Sequence, residues 1–165
     1  MTYLKMYPAK NGDAFLIREN TTKPAMILID GGYASTFQTH ILPDLTGYAK
    51  LGYSLDVVVS THIDADHISG LLSFFQLNEN SQDPKIIRVE DVWHNSLRSI
   101  AYIPIIESKT APSDEELLTE IRRRGYPIPA ESVVETAEIS ARQGSSLASL
   151  LLKGGYEELG SNLYP

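Results

Sequence analysis

The sequence predicts an α/β fold, and three observations lead there. The first 30 residues read as three short strands. Leu55–Ser60 reads as a buried strand running directly into a polar loop. The apolar residues after that loop repeat at helical spacing.

Tyr3–Tyr7 alternates as a strand does, and Asn11-Gly12-Asp13 supplies a turn. Ala14–Arg18 and Ala25–Ile29 are apolar strands on either side of the polar Glu19–Pro24, a hairpin-like opening. Asp30-Gly31-Gly32 ends the third strand, where two glycines let the backbone turn tightly or approach a ligand. From Thr36 to Leu51, Phe37, Ile41, Leu45, Tyr48 and Ala49 recur near helical spacing, and Pro43 is expected to restart or kink that helix. Thr61–Asp66 reads as a polar loop, and Ile68, Leu71, Leu72 and Phe75 trace the inner face of the next helix. Arg88–Trp93 is a further strand. Ser113-Asp114-Glu115-Glu116 forms a capping box for a helix carrying Leu117, Leu118 and Ile121, which Gly125 closes. A last helix covers part of Ser140–Lys153 and ends at Gly154-Gly155; no strand is expected after Val134, and no internal repeat is visible.

A chain of 165 residues fits one domain, 1–165, and 42% hydrophobic with 21% charged residues is ordinary for a globular protein. No apolar run approaches the roughly 18 residues needed to cross a bilayer. The start, Met1-Thr2-Tyr3-Leu4-Lys5, lacks the layout of a secretory signal. With no cysteine there is neither a disulfide nor a thiolate metal site, and a cytoplasmic location is the simplest expectation. The formal net charge of −7 argues against a broad basic face for nucleic acid, Arg122-Arg123-Arg124 being the densest basic spot. If a polyanion is the substrate, bound cations must supply much of the attraction.

The informative segment is Ser60-Thr61-His62-Ile63-Asp64-Ala65-Asp66-His67-Ile68-Ser69-Gly70. It places two imidazoles and two carboxylates within six residues, just beyond the end of a strand, where α/β proteins hold their sites. Both donor types suit first-row divalent metals. Because the adjacent Asp66 and His67 point to different sides of the chain, the four side chains His62, Asp64, Asp66 and His67 could serve two ions rather than crowd one. The same residues read as an ordinary solvated loop only if this pattern is a coincidence.

Thr61-His62-Ile63-Asp64-Ala65-Asp66-His67-Ile68-Ser69-Gly70 resembles the T-H-x-[H/D]-x-D-H-x-x-G loop of the metallo-β-lactamase superfamily. Asp at position 64, with Gly12-Asp13-Ala14-Phe15-Leu16-Ile17 and Ile27-Leu28-Ile29-Asp30-Gly31-Gly32 upstream, is similar to the hydrolase domain of the competence DNA-uptake (ComEC-type) proteins. The resemblance covers about the first 100 residues and implies an αββα sandwich, of which this chain supplies the first, N-terminal half. It implies that His62 and Asp64 bind one metal, and Asp66 and His67, the candidate catalytic pair, the other. Asp30, with Gly31 and Gly32, would be supporting residues that order the loop. A carboxylate at 64 where most relatives carry histidine shifts preference from zinc toward manganese or magnesium. Two such ions holding a bridging hydroxide suit a phosphodiester, so a phosphodiesterase or nuclease is the leading expectation.

The pattern departs from the family downstream, where relatives carry further histidines and an aspartate. Only His40 and His94 remain outside the motif; His40 is expected on a helix surface, and His94 in a structural or substrate-contact role. A half sandwich leaves an apolar sheet face uncovered, at a cost of about 25 cal/mol per Å². The expectation is therefore a truncated chain, a homo-oligomer or a partner chain that completes the fold, with this chain alone weak or inactive. Two alternatives stand beside the nuclease reading: a hydrolase of a small ester, lactam or thioester, and a non-catalytic or split interaction module. Neither glycine pair makes a phosphate-binding loop, and Gln143-Gly144-Ser145-Ser146 lacks the G-x-S-x-G of a serine nucleophile and reads as a loop before a helix. Trp93 and Tyr102 are candidates for stacking on a base, with a core position the default for Trp93.

Overall fold

The computed structural model describes residues 1–22, 24–94, 144 and 146–156. Its centre is a five-stranded sheet in the order β1 (Thr2–Met6), β2 (Phe15–Glu19), β3 (Met26–Ile29), β4 (Val57–Ser60) and β5 (Val92–His94). The first three strands are antiparallel neighbours; β4 and β5 join in parallel. This is the mixed α/β arrangement expected, consistent with part of a metallo-β-lactamase fold. Both parallel connections carry the chain over one face of the sheet through helices. The capping-box helix, Arg122–Arg124 and Tyr102 lie outside the described residues.

The first connection is a continuous helical run with a fault in it. Ala34–Thr36 (α1) leads into a π-helical turn, Phe37–Ile41, and then α2 (Leu42–Lys50). The amide of Leu42 bonds the carbonyl of Phe37, five residues back. Pro43 accounts for the slip: with no N–H it cannot close a bond to residue 39, so the ladder widens by one residue before α2 begins. The proline thus restarts the helix, as its position predicts.

The second connection is α3 (Ala65–Asn78), which starts one residue after the N-cap Asp64. Asp66 therefore lies in the first helical turn, not in the loop expected from sequence. Adjacent alanine and the apolar positions that follow favour extending the helix back to it. Ile68, Leu71, Phe74 and Phe75 are buried along its inner face; Leu72 is only half-buried, because Phe74 occupies the stripe in its place. They pack with Phe37, Ile41 and Leu45, with Leu16, Met26, Leu28 and Val58 from the sheet, with Leu147 and Leu151 from a last helical segment, residues 146–153, and with Tyr156 just after it. Gly144 is helical and not in a loop; Gln143 and Ser145 lie outside the described residues.

Buried Asn78 ties these parts together. Its amide nitrogen donates to the Ile87 carbonyl and the Tyr156 hydroxyl, each at 2.9 Å, and its oxygen accepts from the amides of Ile86 and Ile87 at 2.9 and 3.0 Å. All four bonds of a side-chain amide are made, which is the condition for burying it.

The register separates the two faces of the sheet. Lys5, Leu16, Leu28, Val58 and Val92 form one cross-strand row, and in it Leu16, Leu28 and Val58 are buried under the helices. On the opposite face run two apolar rows. One is Leu4, Ile17, Ile27 and Val57; the other is Met6, Phe15, Ile29, Val59 and Trp93. Leu4, Met6 and Trp93 are 67%, 70% and 47% exposed. Trp93 is therefore not the core residue expected; its indole N–H donates to Asp91 at 2.9 Å while its ring faces outward. No helix among the described residues is long and apolar enough to cross a membrane.

Candidate metal centre

The motif begins where β4 ends. β3 and β4 run parallel, so their C-terminal ends lie side by side and deliver Asp30 and Thr61 to the same edge. Asp30 extends the ladder by one bond, its amide to Val59 O at 2.8 Å, and then turns with φ +55°, a left-handed conformation that aspartate tolerates better than most residues. This turn points its carboxylate inward, and the residue is 1% exposed.

A buried carboxylate must be satisfied, and this one is. One oxygen accepts from the Thr61 amide at 2.8 Å. The other accepts from the Thr61 hydroxyl at 2.5 Å and faces His67 Nδ1 at 3.0 Å. Thr61 has a single hydroxyl proton, which the carboxylate takes. Its oxygen is then the acceptor for His62 Nδ1, 2.8 Å away. Both imidazoles thus carry their proton on Nδ1 and hold out the Nε2 lone pair. Their ring centres are 4.7 Å apart.

Backbone contacts press this arrangement together. Gly31 N donates to His67 O at 2.9 Å, and Gly70 N donates to Gly32 O at 2.8 Å. A Cβ on Gly70 would lie 1.9 Å from the Gly31 carbonyl, and one on Gly31 would lie 2.5 Å from the Leu71 amide. The close approach made by these glycines is therefore to α3. Gly12 packs the same way on the first turn, its missing Cβ leaving room for the Asp66 carbonyl at 1.9 Å. Gly144, in the last helix, touches Ile63 of the motif.

Burial pulls the His67 pKa down, but the hydrogen bond to Asp30 and its charge, helped by Asp66 and Asp13, overcome this and hold it above the usual 6.5. Asp13 is a contributor that spacing alone did not reveal; its only sequence signal was membership of Gly12-Asp13-Ala14. Thr61 was visible in the motif, but its bridging hydroxyl was not.

Among the described side chains, Asp30, His62 and His67 form a group whose ligand atoms lie within 4.8 Å of one another. The Asp64 and Asp66 carboxylates are not in that group. Asp64 is exposed at the N-cap of α3 and makes no side-chain cap bond, while its carbonyl takes the His67 and Ile68 amides. His40 is exposed on the π-helical turn. His94 pairs in register with Ser60, the residue before the motif, and burial lowers its pKa; its Nδ1 is buried without a partner among the described residues.

Two imidazoles held in one tautomer by a buried carboxylate, at the carboxyl end of parallel strands, make a candidate metal site of an α/β protein. The chain belongs to the metallo-beta-lactamase superfamily, whose family model matches residues 7–132. The search of curated proteins and the search of solved structures each find no match. The group fits a divalent cation: two Nε2 lone pairs are presented beside the Asp30 carboxylate, with the ligand atoms of the three residues within 4.8 Å. Asp30 differs from the other two members of its group. With three hydrogen bonds on its two oxygens, it is placed to orient His67 and, through Thr61, His62.

Proposed function

We propose that this chain is the metal-binding part of a phosphodiesterase, most specifically a nuclease of the ComEC-like type. The observation that carries the reading is Asp64. An aspartate at an N-cap normally satisfies a helix amide and contributes about 1 kcal/mol. Here the side chain forgoes that bond. A hard oxygen donor left unused by the helix, two residues along the chain from both His62 and Asp66, suits manganese or magnesium as well as zinc, and suits substrates whose phosphate oxygens share the ions.

In this reading His62 and Asp64 hold one ion, and Asp66 and His67 a second. Bound there, such ions would supply Lewis acidity toward a phosphodiester. Asp30 and Thr61 keep both rings in the ligating tautomer. Gly31 and Gly70 hold that support against α3, and the Asp30 carboxylate stays dry, so its grip on His67 is not diluted by solvent.

A second reading, that the chain needs a covering layer to work, is favoured by the two apolar rows on the sheet face that the described helices do not cover. The reading is tested by following cleavage of single-stranded DNA and RNA with manganese, zinc or magnesium, beside chromogenic esters and a lactam. Asp64→Ala and His67→Ala are expected to abolish nucleic-acid cleavage. Undiminished cleavage in either variant, or turnover of the esters alone, rejects the proposal.

A further inference from the structure

Beside the metal centre, the described residues Lys10, Asn11, Tyr33, Ala34, Ser35 and Ser69 line an open cavity of about 460 Å³. Its polar lining consists of an ammonium, an amide and three hydroxyls, with no carboxylate among these residues. The one charge among these residues is therefore positive, in a chain whose net charge is −7. We propose that this cavity is a phosphate subsite, which holds the phosphate flanking the one placed at the metal centre. The inference rests on the phosphodiesterase reading and deepens it, because a flanking phosphate is a feature of a polynucleotide and not of a simple ester.

Two contacts and one helical spacing set the cavity against the centre. Gly12 lies on the carbonyl of Asp66, so the turn bearing Lys10 and Asn11 rests on the first turn of α3. Ser69 follows Asp66 by three residues, which puts it on the same helix face about 4.5 Å further along the axis. The Gly70–Gly32 bond holds the loop leading to Tyr33, Ala34 and Ser35 against that stretch.

Lys10 itself adopts φ +63°, a left-handed conformation that is unfavourable for a residue with a Cβ. The turn is fixed by Ala9 N to Tyr7 O at 2.8 Å and Gly12 N to Ala9 O at 3.3 Å. One loop thereby divides its charges, Asp13 bearing on His67 and Lys10 lining the cavity. Phosphate oxygens accept from ammonium, amide and hydroxyl groups alike, and the ammonium supplies the charge that selects an anion.

The test is equilibrium binding of a short fluorescent single-stranded DNA across a salt series, beside the same sequence with an uncharged methylphosphonate backbone. Lys10→Gln is expected to weaken binding of the charged strand about fivefold or more, and to reduce the slope of log affinity against log salt by about 0.7. It should leave the uncharged strand unaffected, and Lys10→Arg should restore the charged strand to within about twofold. Equal affinities of wild type and Lys10→Gln for the charged strand overturn the subsite, as does an equal loss on both backbones. If the wild type cleaves the strand but its affinity ignores Lys10, the subsite alone fails. If affinity depends on Lys10 but no divalent metal supports cleavage, the phosphodiesterase reading fails while the phosphate site stands.

Discussion

Asp30 Oδ2 and His67 Nδ1 lie 3.0 Å apart, joining a buried turn after β3 to the first turn of α3 across 37 residues of sequence. The same oxygen takes the Thr61 hydroxyl, so one carboxylate governs both imidazoles. Its removal should be felt in stability and in metal binding together.

Asp30→Asn keeps a side chain that tolerates the left-handed backbone but replaces an acceptor with a donor opposite His67. Loss of these charge-assisted bonds should cost about 2–3 kcal/mol in urea unfolding of the metal-free protein. Affinity for zinc or manganese, measured by calorimetry, should fall about 10–100-fold. A variant that binds metal as tightly as wild type would show that Asp30 does not orient the ligands.

The metal-free protein should lose stability as pH rises through the His67 titration. The folded pKa lies above 6.5, so the pair's contribution is complete below that value and fades as pH climbs through the folded pKa. His94, whose pKa is lowered by burial, acts in the opposite sense, its contribution present above 6.5 and lost as pH falls. Thermal melts from pH 5 to 9 should therefore differ between wild type and His67→Gln on the alkaline side. Added divalent metal should reverse the trend there, because ligation requires the neutral ring. Identical profiles for the two proteins would remove the Asp30–His67 pair as a determinant.

Gly70→Ala places a methyl 1.9 Å from a backbone carbonyl that has no freedom to rotate away. The loop and α3 must part, at about 2–3 kcal/mol or more. Gly47→Ala, at a position with nothing within 4 Å of the added Cβ, should be neutral or mildly stabilising in the same melt.

Asn78→Ala strands two amides, a carbonyl and a hydroxyl at a buried junction. About 3 kcal/mol should be lost. Hydrogen exchange should speed first at Ile86 and Ile87, and in residues 146–153, because those are the parts the side chain ties down.

Local pattern was enough to read much of this protein from its sequence. Short apolar runs placed β2 and β3, Pro43 marked the helical restart, and the motif after a buried strand pointed to His62 and His67, two members of the candidate metal group. Each of these signals lies within a few residues, where spacing alone dictates which side chains share a face. Tertiary structure decided what depends on distant segments meeting. It grouped Asp30 with His62 and His67, gave Thr61 its bridging hydroxyl, set the motif glycines against α3, and turned the Trp93 ring outward. These outcomes follow from parallel pairing of β3 with β4 and from the register of β4 with β5, long-range choices fixed by burying one face of the sheet under the helices. No local period encodes them.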